Sequence, residues 1–247
     1  MRGSGNRAPR PFGMLVGVDR NRLILVAAAV GAAALVAVVL IVVAGSGSSS
    51  PTTTATTTAA APSSSLAGIP QHGNTLGKAS APATLVVYED PQCPFCRSWN
   101  VSTLPSVVSQ FVRTGKIKLE YRGVVIIGPD SERGLRAIYA AGKQNKLWNL
   151  SDALYARQGA ENSGWITNSV ILEAARAAGA DGKAILADMG SAAVTAELTT
   201  AQKQATADQL QGTPTFIIER PPALAQPLAV SALDPATFDA ALTAALQ

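Results

Sequence analysis

Residues 84–96 read Thr-Leu-Val-Val-Tyr-Glu-Asp-Pro-Gln-Cys-Pro-Phe-Cys, and the two cysteines in this stretch, Cys93 and Cys96, are the only ones in the chain. The apolar, β-branched first half, followed by Glu-Asp-Pro, predicts a buried strand over residues 84–88. From Pro94 to about Thr114 apolar residues recur at helical spacing, which predicts a helix. Cys93 is therefore expected where a strand ends and a helix begins.

A thiol at the start of a helix is activated for thiol-disulfide exchange. Unpaired amide groups and the helix dipole favour the thiolate of Cys93 over its thiol. Cys96 follows one turn later and faces inward, so it can attack a mixed disulfide at Cys93 and release the substrate. Pro94 needs no amide donor in the first turn and keeps it rigid. Phe95, between the cysteines, is expected to be exposed and to touch the substrate.

Three other interpretations of the cysteine pair stay open. A structural disulfide across so short a loop would constrain the unfolded chain only slightly. A metal site would need more ligands than two thiols and the single histidine, His72, provide, so neither a metal nor another cofactor is predicted. Two inert buried cysteines are the third interpretation, and the strand before them and the helix after them argue against it.

The other predicted elements alternate between strands and helices. They are a strand at 116–122, several packed helices over about 131–210, strands at 215–219 and near 228–230, and a final helix from Asp234-Pro235. The order is that of an α/β sheet domain interrupted by a helical insertion. We place this domain at residues 71–247.

A second motif, Gly212-Thr-Pro-Thr-Phe216, follows the cysteines by about 120 residues. Together with residues 84–96 it resembles the DsbA-like branch of the thioredoxin superfamily, over roughly residues 73–246. The resemblance implies a thioredoxin fold with the helical insertion, and a cis-proline at Pro214 beside the redox pair. The backbone of Thr213 would then be free to pair with an extended substrate. An ordinary trans turn proline is the alternative.

The chain departs from this family at one position. Thioredoxins and many relatives carry a buried acid six residues before the first cysteine, where this chain has Val87. That acid helps to move the proton of the second cysteine. Glu89 lies two residues on and, by strand alternation, on the same face as Val87, so it is the candidate proton relay. The alternative is a solvated acid at the strand end.

The N-terminal 70 residues divide into three predicted segments. Residues 1–22 carry five arginines and one acid and form a basic tail, whereas 23–44 lack charge and as a helix span about 33 Å, enough for a bilayer. The positive-inside rule places the tail in the cytoplasm and the rest of the chain outside the cell membrane. Residues 45–70 are predicted to be a low-complexity linker. A cleaved signal peptide is the alternative to this single-pass signal-anchor.

The net charge of +4 lies in the basic tail, because 15 basic and 15 acidic residues remain from residue 23 onward. A neutral main body argues against nucleic-acid binding. The predicted function is oxidation of cysteine pairs in exported proteins by a monomer. The resemblance implies reoxidation by a membrane partner of the DsbB or vitamin K epoxide reductase type. A disulfide reductase and a non-catalytic, chaperone-like binding module are the alternatives.

Overall fold

A six-stranded mixed sheet forms the centre of residues 64–247, the part of the chain that the computed structural model describes. Its strands are β1 (Gln71–His72), β2 (Thr75–Leu76), β3 (Ala83–Glu89), β4 (Ile117–Gly123), β5 (Thr215–Glu219) and β6 (Gln226–Pro227). Their order across the sheet is β1-β2-β4-β3-β5-β6. The β3–β4 pair is parallel and the other pairs are antiparallel. The strand that precedes the cysteines is therefore central, with neighbours on both sides.

The helices lie before, within and after an insertion. They are α1 (Pro94–Ser98), α2 (Leu104–Val107), α3 (Pro129–Gly142), α4 (Leu147–Tyr155), α5 (Asn168–Ala178), α6 (Gly182–Asp188), α7 (Ala192–Ala207) and α8 (Pro235–Ala245). Five of them, α3 to α7, stand between β4 and β5, close to the predicted insertion at 131–210. The predicted thioredoxin-like layout with a helical insertion is thus confirmed.

The predicted helix after Cys93 is one helical stretch with two irregular turns. The π turns Trp99–Thr103 and Val108–Val112 follow α1 and α2. Pro105 lies between these turns and has no amide hydrogen to donate to the preceding turn, and the N–H of Leu104 bonds to the Trp99 carbonyl five residues back. Widened turns therefore lie on either side of the short α-helical piece that contains Pro105.

Both faces of β3 are covered, as the continuous apolar run predicts. On one face, Trp99 stacks on Phe238 of α8 with ring centroids 4.5 Å apart, in the same core cluster as Val87. On the other face, Tyr88 lies in a second cluster with Ala205 of α7. The sheet is thus the middle layer of an α/β sandwich.

Three details of the prediction are wrong. The last strand is Gln226–Pro227 instead of 228–230, although Leu228 still donates its N–H to the carbonyl of Phe216 at 2.9 Å. In β4 the alternation of buried and half-buried residues ends at Glu120, because the rest of that strand is buried on both faces. The linker cannot extend to residue 70, since Leu66 is buried in the core.

The predicted basic tail (1–22), the predicted membrane span (23–44) and the linker up to residue 63 lie outside the described residues. Within residues 64–247, no helix is both long and apolar enough to cross a membrane.

Candidate redox site

The turn between β3 and the first cysteine is held by Asp90, which is fully buried. Its Oδ1 accepts hydrogen bonds from the backbone N–H of Gln92 at 2.8 Å and from the hydroxyl of Ser131 at 2.7 Å. Its Oδ2 accepts from the backbone N–H groups of Ile126 and Ile127 at 2.9 and 3.0 Å. One carboxylate therefore joins the turn to the segment after β4 and to the insertion.

Cys93 is the N-cap of α1, with an extended backbone (φ −70°, ψ 121°). Its Sγ accepts the backbone N–H of Cys96 at 3.4 Å, and Pro94 occupies the first turn. The same sulfur lies 3.2 Å from the carbonyl oxygen of Thr213, to which its S–H donates. The fold thus brings the two sequence motifs together at this sulfur.

The two thiols differ strongly in acidity. Hydrogen bonding from the Cys96 side chain lowers the pKa of Cys93 to about 6 against opposing desolvation, and the Thr213 side chain and the backbone amides of Cys96 and Phe95 add to this effect. Burial raises the pKa of Cys96 well above its ordinary value, and the neighbouring Cys93 and Glu89 add to this effect. Cys93 keeps 5% of its surface exposed, whereas Cys96 has none. A substrate sulfur can therefore reach the pair only at Cys93.

The second motif lies beside this thiolate. The Thr213–Pro214 peptide bond is cis, as the resemblance implied. Both residues are half-buried, and Thr215, which follows them, pairs with Tyr88 of β3. Phe95 is 65% exposed, which places an apolar ring on the surface between the two cysteines.

Glu89 occupies the last position of β3 and is completely buried, so the alternative of a solvated strand-end acid is wrong. Its Oε1 accepts a hydrogen bond of 2.7 Å from Nδ2 of Asn100. Desolvation raises the pKa of Glu89 to about 8, even though the Asn100 and Tyr155 side chains favour its ionised form. A carboxyl that holds its proton near neutral pH thus lies among the groups around the redox pair.

Several residues that contact the site were not predicted from the sequence. Tyr155, at the end of α4, lies in one buried cluster with the two cysteines and donates its hydroxyl to the Asp90 carbonyl at 3.1 Å. Gln158 donates Nε2 to the carbonyl of Cys93 at 3.0 Å. No motif marks these residues, because they come from the insertion. Asn100 could have been found, since it lies four residues after Cys96 and so on the same inward face of the helix.

His72 lies in β1, opposite Thr75 of β2. No group of three or more His, Cys, Asp or Glu side chains comes together within residues 64–247 in the manner of a metal site.

Comparison with known proteins gives matches to this part of the chain. A family model described as thioredoxin matches residues 71–226. The chain is 36% identical over 100 residues to a probable disulfide bond formation protein D of Bacillus cereus. That alignment covers 40% of this chain and 46% of the relative, so the chain matches about half the length of this protein.

Solved structures share the fold. Oxidised BdbD of Bacillus subtilis superposes with a TM-score of 0.61 at 18% identity, over 70% of this chain and 92% of that one. DsbA2 of Pseudomonas aeruginosa gives a TM-score of 0.55 at 19% identity, over 72% and 96% of the two chains. Since the family model covers more than half of the sequence and the fold is that of these DsbA-like proteins, the chain belongs to the thioredoxin family.

Proposed function

We propose that this protein is a thiol-disulfide oxidoreductase that oxidises cysteine pairs in exported proteins. The observation that carries the proposal is the position of Cys93, whose sulfur caps α1 and accepts the N–H of Cys96 beside the Thr213 carbonyl. The name of the Bacillus cereus relative, a probable disulfide bond formation protein, supports this direction of transfer.

The reaction requires only sulfur exchange. A substrate thiolate attacks the Cys93 sulfur of the oxidised pair, the Cys93–Cys96 bond breaks, and Cys96 leaves with the electron pair and takes up a proton. A second thiolate of the substrate then attacks the substrate sulfur in the mixed disulfide. A substrate disulfide forms, and Cys93 leaves as a thiolate. Two electrons have passed from the substrate to the pair.

The acidity of Cys93 favours an oxidase over a reductase. A pKa of about 6 instead of the ordinary 9.0 stabilises the reduced form. At pH 7 that difference corresponds to about 1.4 kcal/mol, or about 30 mV toward a more oxidising pair. A pair whose reduced form is stabilised by this free energy is well suited to accept electrons from exported proteins.

Phe95, Pro94, Thr213 and Pro214 are the proposed substrate contacts. Phe95 and Pro94 open the helix directly after Cys93, and Thr213 and Pro214 form the cis peptide whose Thr213 carbonyl lies beside the Cys93 sulfur. The backbone of a partly unfolded substrate segment would hydrogen-bond to the backbone of Thr213, and an apolar side chain of the substrate would pack against Phe95.

The proposed cellular setting follows from the N-terminal sequence. Residues 1–22 would remain in the cytoplasm, 23–44 would anchor the chain in the cell membrane, and the linker from 45 would let the domain reach exported substrates. The protein would act as a monomer. A membrane partner of the DsbB or vitamin K epoxide reductase type would restore the Cys93–Cys96 disulfide. The composition of these segments supports the proposed linker, and the resemblance supports the proposed partner.

The test uses the full chain in detergent, a reduced unfolded model protein as substrate, and insulin reduction as the opposing assay. We expect the protein to oxidise the model protein with turnover and to reduce insulin only slowly. Cys93→Ser abolishes turnover, because the attacked sulfur is gone, and Cys96→Ala accumulates mixed disulfides with the substrate. Preferential reduction of insulin would show that the protein is a reductase. Inactivity in both assays would leave the non-catalytic binding module. Full activity of both variants would show that Cys93 and Cys96 are not the redox pair.

A further inference from the structure

Asn100 connects the buried acid to the second cysteine. It lies on the first π turn, one helical turn after Cys96, and is 1% exposed. Its Nδ2 donates to Oε1 of Glu89 at 2.7 Å and to the carbonyl oxygen of Cys96 at 3.0 Å. Both hydrogens of this one nitrogen are therefore directed at the carboxyl and at the backbone of the inner cysteine.

The orientation of the Glu89 carboxyl depends on this amide. Trp99 and Tyr155 lie close enough to Glu89 to favour its ionised form. Within residues 64–247, however, neither Oε2 of Glu89 nor Nε1 of Trp99 has a hydrogen bond of good geometry. The 2.7 Å bond from Asn100 thus sets the direction of Oε1. A buried carboxyl with so few partners could otherwise turn away from the thiol.

The titratable groups around Glu89 come from three elements. Cys93 and Cys96 belong to the start of the helix, Tyr121 to β4 and Tyr155 to α4. Burial raises the pKa of both tyrosines well above the ordinary value, so they stay protonated near neutral pH. In a mixed disulfide the Cys93 sulfur is bonded to the substrate and cannot take up a proton, so Glu89 is the group in this cluster that can exchange a proton with Cys96 near neutral pH.

We propose that Asn100 is a positioning residue that holds the Glu89 carboxyl at Cys96, so that this carboxyl takes and returns the proton of the inner thiol. The inference rests on the proposed redox function. When Cys96 attacks the Cys93 sulfur of a mixed disulfide, its proton passes to Glu89, one S–S bond forms, and the substrate sulfur leaves as a thiolate. In the opposite direction, protonated Glu89 gives the proton back to the departing Cys96.

Decay of a mixed disulfide tests the proposal directly. Reduced full-length protein is mixed with oxidised glutathione and quenched with acid, and the Cys93–glutathione adduct is followed by mass spectrometry over a range of pH. Decay in the unaltered protein is expected to rise with a midpoint near the Glu89 pKa of about 8. Asn100→Leu removes a donor that favours the ionised carboxyl. The midpoint should move up by about one pH unit, and decay at pH 7 should slow about tenfold.

Two comparisons separate positioning from a structural role. Thr103→Val removes a buried hydroxyl of the same helical stretch, which donates to the Leu233 carbonyl and not to Glu89, and should leave the midpoint unchanged. In a Glu89→Gln background, Asn100→Leu should slow decay no further, because its effect passes through the carboxyl.

The proposal is overturned if folded Asn100→Leu keeps the original midpoint, or if its tenfold effect persists in the Glu89→Gln background. If Asn100→Leu does not fold, Asn100→Ser replaces it, because serine is smaller and also lacks the amide donor. The same upward shift of the midpoint is then expected, and an unshifted midpoint overturns the proposal. Failure of the proposed redox function has a different signature. In that case even the unaltered protein forms no adduct at Cys93.

Discussion

The most direct test of the site asks which group lowers the pKa of Cys93. The largest contribution to the lowered pKa comes from the Cys96 side chain, which donates to the Cys93 thiolate. Cys96→Ala removes this donor and leaves the backbone N–H of residue 96 in place, whereas Cys96→Ser substitutes a hydroxyl donor. A hydrogen bond to a charged group is worth about 1.5–3 kcal/mol, which corresponds to about 1–2 pH units.

The midpoint of Cys93 ionisation should therefore rise from about 6 to between about 7 and 8 in Cys96→Ala. In Cys96→Ser it should stay closer to that of the unaltered protein. At pH 7 the thiolate fraction falls from about 90% to between about 10% and 50% in the alanine variant. Alkylation of Cys93 by iodoacetamide slows in proportion, because only the thiolate reacts.

The assay is the ultraviolet absorbance of the thiolate as a function of pH, together with the alkylation rate. Each variant keeps a single cysteine, so its titration belongs to Cys93 alone. In the unaltered protein the step at low pH is also that of Cys93, because burial keeps the pKa of Cys96 well above its ordinary value. If both variants titrate with the original midpoint, the helix start and Thr213 lower the pKa without the neighbouring thiol, and the reasoning is refuted.

Three further outcomes are expected. The pKa of Glu89 is about 8 in the folded protein against 4.5 unfolded, so the folded state binds the extra proton and its stability falls as pH rises between those values. Glu89→Gln should remove this slope and stabilise the protein by about 3 kcal/mol at pH 7, as urea unfolding at several pH values can show. Gly134→Ala would place a Cβ 2.8 Å from Cγ of Pro91 and should cost about 1–3 kcal/mol, measured against Gly190→Ala, where a Cβ meets nothing within 4 Å. Phe95→Ala should leave unfolding unchanged, since the ring is 65% exposed, and should raise the KM for a protein substrate more than it lowers kcat; an equal loss in kcat would contradict a binding role.

The sheet and the cysteine turn could be predicted because each has a strong local signal. A strand buried on both faces needs a continuous apolar run, and β3 has one. The helix after Cys93 has apolar spacing and a proline in its first turn. The last strand was misplaced because β6 is only two residues long, at the sheet edge, and includes Pro227, which sequence rules exclude from most strands.

The surroundings of the sulfurs could be predicted only in part. Strand alternation gives the face of Glu89, but whether that face is solvated depends on which helices cover it. Those helices include α4, whose Tyr155 lies in one buried cluster with the two cysteines. Its position depends on tertiary contacts, such as the bond from the Tyr155 hydroxyl to the Asp90 carbonyl. Local patterns contain no information on such a contact.

The insertion therefore contributes to the chemistry as well as covering the sheet. The CxxC motif places both thiols on one helical turn, but the motif alone does not decide which of them ionises. The Cys96 side chain, and then the Thr213 side chain and the amides of the helix start, favour charge on Cys93, whereas burial opposes charge on Cys96. A substrate thus meets an acidic outer sulfur, and the inner one needs a proton acceptor before it can react. Val87 cannot fill that role, and the proposed acceptor is the buried carboxyl two residues later, which accepts a hydrogen bond from Asn100.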